Sequence, residues 1–326
     1  MSTKLHSRAL IGNLASGYGG MALVALVTIF LVPYYVHLLG PLQWGLVAQC
    51  LTLQGLLFTL EIVQGPLALR DVAHAAPCDN VHSVYRLHLR RYLLIGCIAT
   101  VLVQVGWLTT QGVDAAPTVQ PIRWPYAGNW WILQLALLQF FVQFANGAAM
   151  AYWSGLHQGW RASASLSTFL VLKHAAALSL MAVEGATALN YMIAMAGVSI
   201  VEVFFNAACV TQTQATDADS SPTTESSSPQ GAGLDSRPAA AMPPGAGKQA
   251  GVLFFVAAMV CGAIGSQLDR LVLATSLAPV DFGRYYLATV IALSFLSLQM
   301  PIARTFLPYI AAGASPVAAV RGMLVI

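Results

Sequence analysis

The chain has 326 residues, of which 57% are hydrophobic and only 8% charged, with a net charge of +3. Soluble domains carry about 25% charged residues, so this composition describes an integral membrane protein. It excludes a cytosolic enzyme, a nucleic-acid-binding factor and a disulfide-stapled secreted domain. The five cysteines are scattered, four of them in apolar runs, and no spacing suggests a metal site.

A membrane helix needs about 20 mostly apolar residues. In chain order the candidates are 10–32, 45–69, 92–112, 129–153, 163–183, 187–210, 252–275 and 285–307. Strand alternation is absent, which argues against a barrel and for an all-α polytopic bundle. The run Leu10–Val32 is too long for a signal-peptide core and reads as the first span. Between the first two spans, Gly40 and Pro41 supply a tight turn. The segment 71–91 reads as a loop with a short amphipathic helix at 80–91.

With a cytoplasmic N-terminus, ten basic residues fall on cytoplasmic segments and two, Arg123 and Arg284, on outer ones. The other three, Lys173, Arg270 and Arg304, fall inside spans. That split follows the positive-inside rule and places both termini in the cytoplasm. Residues 211–249 are rich in Ser, Thr, Pro, Gly and Ala and read as a disordered cytoplasmic linker. The expected domains are therefore a six-helix lobe at 1–210, the linker at 211–249, and the opening helices of a second lobe at 250–326.

A short internal match supports this division. Leu39-Gly40-Pro41 followed by Trp44-Gly45 pairs with Leu277-Ala278-Pro279 followed by Phe282-Gly283, at a constant offset of 238. Two six-helix halves in parallel orientation are a recurrent transporter plan. On that plan the second half is cut short, and roughly 120 residues are lacking.

Charges inside spans are the candidate functional groups, because a Lys or Arg at a helix centre costs about 2.5–3.5 kcal/mol. Nothing in the fifth span neutralises Lys173. Two readings stand: it faces a cavity and attracts an anion, or it pairs with an acid on another helix. Asp269 and Arg270 are neighbours on one helix and cannot simply face each other. Arg270 reads as a cavity cation, with Asp269 as its orienter or as a partner to another helix. Arg304 and Arg70 lie near span ends, where snorkelling to the interface competes with a cavity role. Glu61 lies about 13.5 Å along a helix from Arg70, so those two do not pair. Glu61 and Glu202 are candidates for ion coupling or interhelical pairing. No phosphate-cradling Gly-rich loop and no nucleophile–base set appears, so the chain does not read as an enzyme, and no cofactor or metal is expected.

"FLVPYYVHLLGPLQWGLVAQ" (30–49), "LEIVQGPLALRDVA" (60–73), "YWSGLHQGW" (152–160), "SQLDRLVLATSLAPVDFGRYYLATVIA" (266–292) and "MPIARTFLPYIA" (300–311) carry a family resemblance. Together they resemble the Wzx-type polysaccharide-repeat (O-antigen) flippases of the multidrug/oligosaccharidyl-lipid/polysaccharide exporter superfamily. Two features depart from that pattern: Val63 stands where the family usually has Gly, and eight spans are read rather than twelve or more. The resemblance implies a two-lobed exporter fold in the bacterial inner membrane. It implies transfer of undecaprenyl-pyrophosphate-linked oligosaccharide units for surface polysaccharide synthesis, beside polymerase and chain-length proteins. It matches Glu61, Arg70, Asp269 and Arg270 to family positions. A cation-coupled small-molecule exporter of the same superfamily and an inactive truncated remnant are the alternatives.

Overall fold

A computed structural model describes residues 3–76, 80–111, 130–219, 261, 265 and 267–296. Its described helices are α1 (Thr3–Ala75), α2 (Val81–Gln111), α3 (Trp130–Gly155), α4 (Gly159–Glu184), α5 (Ala188–Asp219), α6 (267–276) and α7 (Pro279–Leu296). The first five are long and apolar enough to cross a membrane, so a multi-pass membrane protein follows from the helices themselves. The segment 113–128, most of the expected linker, Arg304 and the end of the expected eighth span lie outside the described residues.

α1 has 73 residues, or about 110 Å of helix, far more than the roughly 30 Å of a hydrocarbon core. It breaks at Gly40, whose φ of 74° and ψ of 163° are outside the helical region. Glycine takes a positive φ without steric cost, and Pro41 then starts a helix at the position where its missing N–H matters least. The expected outer loop is thus a single-residue elbow.

Hydrogen bonds fix the directions of the two arms. In the first, Asn13 Nδ2 donates to the His157 carbonyl at 2.9 Å and its Oδ1 accepts from the Trp160 N–H at 3.2 Å. Farther along, Tyr35 Oη and His174 Nδ1 are 3.0 Å apart, so this arm runs with α4. In the second, Gln54 Nε2 donates to the Ala136 carbonyl at 2.8 Å, and Val72 lies against Gly155, so this arm runs with α3. A short turn at Leu156–Gln158 reverses the chain between α3 and α4. The two arms of α1 are therefore antiparallel.

α2 runs against α3: Tyr92 packs on Phe144, Gln104 pairs with Gln134, and the Trp107 and Trp130 rings meet at a tilt, 4.4 Å between centroids. α5 runs against α4, as the Ser165–Asn206 and Lys173–Glu202 contacts show. The result is an up-and-down bundle of the two arms and α2–α5, with α3 innermost. Lipid offers no hydrophobic gain between helices, so close backbone approach matters. Gly147 and the alanines 145, 148, 149 and 151 of α3 are buried, and a Cβ at 147 would lie 2.8 Å from the Tyr92 ring.

Three sequence expectations change in detail. The amphipathic segment at 80–91 is not a separate helix but the first turns of α2, continuous with the span. Its buried stripe, Val81, Tyr85, His88 and Tyr92, packs on the bundle. α5 continues to Asp219, into the stretch read as linker. α7 starts at Pro279, six residues before the expected eighth span.

The two matched segments touch. Trp44 Nε1 donates to the Gly283 carbonyl at 3.2 Å, and a Cβ on Gly283 would sit 3.3 Å from the Gly45 Cα. In both, a proline opens a helix just after a break.

The fold makes a topological prediction. His157, in the α3–α4 turn, and Gly185, after α4, lie at opposite ends of one membrane-length helix. In a cysteine-free background, single cysteines at these positions are expected to react with an impermeant maleimide from opposite sides. Labelling of both from one side would rule out α4 as a crossing.

Candidate functional site

A cavity of about 270 Å³ opens between both arms of α1, α3, α4, α5 and α7. Most of its wall is apolar, including Val27, Leu51, Leu170 and Met195. Polar groups come from Thr28, Gln139, Gln143, Lys173, His174, Tyr191 and Tyr286. Small-molecule pockets run from about 300 to 1,000 Å³, so this one suits a compact group and not a whole oligosaccharide.

Lys173 is the cation on that wall and is buried to 7% exposure. Its Nζ donates to Glu202 Oε2 at 2.5 Å. Glu202 Oε1 accepts from Asn146 Nδ2 at 3.0 Å, Asn146 Oδ1 from Asn206 Nδ2 at 2.8 Å, and Asn206 Oδ1 from Ser165 Oγ at 2.9 Å. This chain ties α3, α4 and α5 together, and all five residues are buried. Local helix geometry explains the alignment: Glu202 and Asn206 are four residues apart and share one face of α5.

Charges inside lipid are held by partners of this kind. Both Glu202 oxygens are satisfied. An ammonium has three donors, and among the described contacts Glu202 takes one of them. The pair is neutral as a unit, and the cavity therefore carries no uncompensated charge from Lys173 while the pair holds.

Arg270, on α6, is also buried, and its guanidinium carbon lies 6.0 Å over the Tyr286 ring. Tyr286 lines the cavity, which places Arg270 behind that ring. Among the described residues no carboxylate forms an ion pair with it. Asp269 points elsewhere: it is exposed, and Tyr285 Oη donates to its Oδ2 at 2.5 Å. Asp269 is thus bonded to a tyrosine on α7, and among the described residues it forms no ion pair.

Arg70 is not brought to the cavity. It is exposed near the end of α1, and its Nε and Nη2 donate to Asp71 Oδ1 at 3.1 and 2.9 Å. Asp71 Oδ2 also meets His88 Nε2 at 3.1 Å, and His88 Nδ1 meets Gln64 Nε2 at 3.3 Å. Glu61 is half-buried, with its stem near Gly65, and does not line the cavity. Asn146, Asn206 and Ser165 were not singled out from sequence. Their signal was available: side-chain amides at 146 and 206 within strongly apolar runs.

His174 stacks on Tyr35 at 5.6 Å between centroids, with Tyr191 edge-on to the same ring at 5.1 Å. Among the described residues no group of three or more His, Cys, Asp or Glu side chains is placed to hold a metal ion. Comparison of the chain with family models, with curated proteins and with solved structures gives no match.

Proposed function

We propose that the chain is a flippase that moves undecaprenyl-pyrophosphate-linked oligosaccharide units across the bacterial inner membrane, with both termini cytoplasmic. The observation that carries this reading is the Lys173 ammonium on the wall of a cavity lined mainly by membrane-length helices. A pyrophosphate is too hydrated to enter hydrocarbon, and a buried cation is the group that would receive it. The lipid tail stays in the bilayer while the headgroup passes through protein. The resemblance of the segments around 30–49 and 266–292 points the same way. Polymerase and chain-length proteins would then take up the product.

A two-lobed exporter is the architecture that this reading uses. Gly45 and Gly283 are equivalent in the internal match and touch each other, as residues on a two-fold axis between halves would. Arg270 enters from the second half, behind Tyr286. The cavity's modest volume fits the phosphate end of the substrate alone.

The test is surface glycan in a strain lacking its own flippase, normalised to protein level. Lys173→Met made together with Glu202→Gln avoids leaving either charge unpaired. It is expected to lower surface glycan about tenfold or more, the loss of one charge-assisted contact. Arg270→Met is expected to fall similarly, while Lys173→Arg and Arg270→Lys retain more. Unchanged glycan in all four overturns the reading. Unchanged glycan with lost extrusion of a small organic ion would give the cation-coupled exporter instead.

A further inference from the structure

We infer that Lys173 is a shared cation: an anion entering the cavity draws its ammonium off Glu202, and Glu202 then takes up a proton. This rests on the reading that the cavity receives a phosphoryl anion and adds how that event is coupled to a second ion.

The argument starts from position. Lys173 is the one member of the buried polar chain that also lines the cavity. Glu202 lies behind it, 2% exposed, with Asn146 as its other partner. A phosphoryl oxygen offers the ammonium what a carboxylate oxygen offers, with more negative charge. The ammonium sits on a stem of four carbons with rotatable bonds, so it can change partner without moving α4.

Once Lys173 turns to the anion, Glu202 is a buried carboxylate held by a single neutral amide. An isolated buried charge is far costlier than its neutral form. The carboxylate therefore takes a proton from a hydronium ion or buffer acid of the aqueous phase: one O–H bond forms on Glu202 as the bond to that proton breaks on the donor, whose conjugate base stays in solution. Asn146 continues to donate to Oε1. The reverse step releases the proton when the anion leaves and Lys173 returns. A dianionic headgroup with one proton crosses with less net charge than it would alone.

Other titratable groups face this site, and each has a different role. From α1 comes Tyr35, bonded to His174 of α4; from α5 Tyr191; from α7 Tyr286, with Arg270 of α6 over its ring. α3 contributes the neutral Asn146, Gln139 and Gln143. Among the described cavity-lining residues there is no carboxyl group; Glu202 lies one contact behind them. A protonated carboxylic acid is therefore the distinguishing product, separable from a protonated imidazole.

The experiment uses the full chain in nanodiscs, titrated with inorganic pyrophosphate, or prepared with and without a polyprenyl pyrophosphate lipid. Calorimetry of the pyrophosphate titration in two buffers of different protonation enthalpy reads proton uptake. Infrared difference spectra read the carbonyl stretch of a newly protonated carboxylic acid. The expected result is uptake of up to one proton per anion and a new acid band, absent in Glu202→Gln. If that variant does not fold, Glu202→Asp keeps the charge and is expected to shift the band. A band with the lipid alone supports the proposal and names the headgroup as the source. A band with both supports it for the phosphoryl group in general. Binding without proton uptake or band overturns the coupling and leaves the flippase reading standing. Absence of binding by either anion overturns both. A band unchanged in both Glu202 variants assigns the proton elsewhere and overturns the proposal.

Discussion

Glu202→Gln is expected to destabilise the bundle by about 3–5 kcal/mol, the usual cost of removing one partner from a buried ion pair. The change is nearly isosteric, so packing is preserved and the loss is electrostatic. Lys173 would keep its ammonium against a neutral amide, without water to solvate it. The double variant Lys173→Met, Glu202→Gln removes both charges and is expected to recover most of the loss. Thermal unfolding of the four forms in one detergent gives the double-mutant cycle. A single variant within about 0.5 kcal/mol of the parent would mean that the pair is solvated and not part of a dry interior.

Gly45→Val is the second large effect. A Cβ at 45 falls directly on the Pro279 carbonyl group, and neither backbone can yield without moving a helix. Overpacking costs typically 1–3 kcal/mol, and here about 3 kcal/mol is expected because the obstacle is main chain. The Trp44–Gly283 hydrogen bond is lost with it. Gly283→Ala is expected to be milder, since its Cβ would sit 3.0 Å from the Trp44 ring and 3.3 Å from the Gly45 Cα, whereas a Cβ at position 45 would overlap the Pro279 carbonyl oxygen. Gly12→Val, with open space around it, serves as control. Unfolding temperature together with protease sensitivity across α6 and α7 reads the outcome; equal behaviour of the variants at 45 and 12 would remove this contact from the fold.

Hydropathy alone located the apolar helices because twenty apolar residues have few other uses. It did not find where helices continue beyond lipid. The first turns of α2 carry Arg86, Arg90 and Arg91, which lower the apolar average without breaking the helix. No Gly or Pro interrupts 81–95, and that was the readable sign of continuity. The elbow was legible in kind, as Gly40-Pro41, but not in length.

Site residues divide along a physical line. A charge in a span is visible in one dimension; its partner is a matter of which helix faces turn toward each other. Lys173 and Glu202 were each visible, and their meeting was not, because they lie on different helices. Adjacent residues on a helix point apart, and this separated Asp269, bonded to Tyr285, from Arg270, over Tyr286. The same rule fails for Arg70 and Asp71, where a long exposed side chain at a helix end curls back to its neighbour.

The elbow at Gly40 has a mechanical meaning. Two long rods joined through one residue have no slack between them; they can swing about that residue's two soft dihedrals but cannot slide past each other. The first rod is fastened at its far end by Asn13 to the α3–α4 turn, and the second carries Trp44 against Gly283. The contact with Gly283 lies four residues past the joint, so it belongs to the second rod alone. The angle between the rods is set by one glycine whose positive φ other residues adopt only at a steric cost, so substituting Gly40 strains the joint although an added Cβ would meet open space.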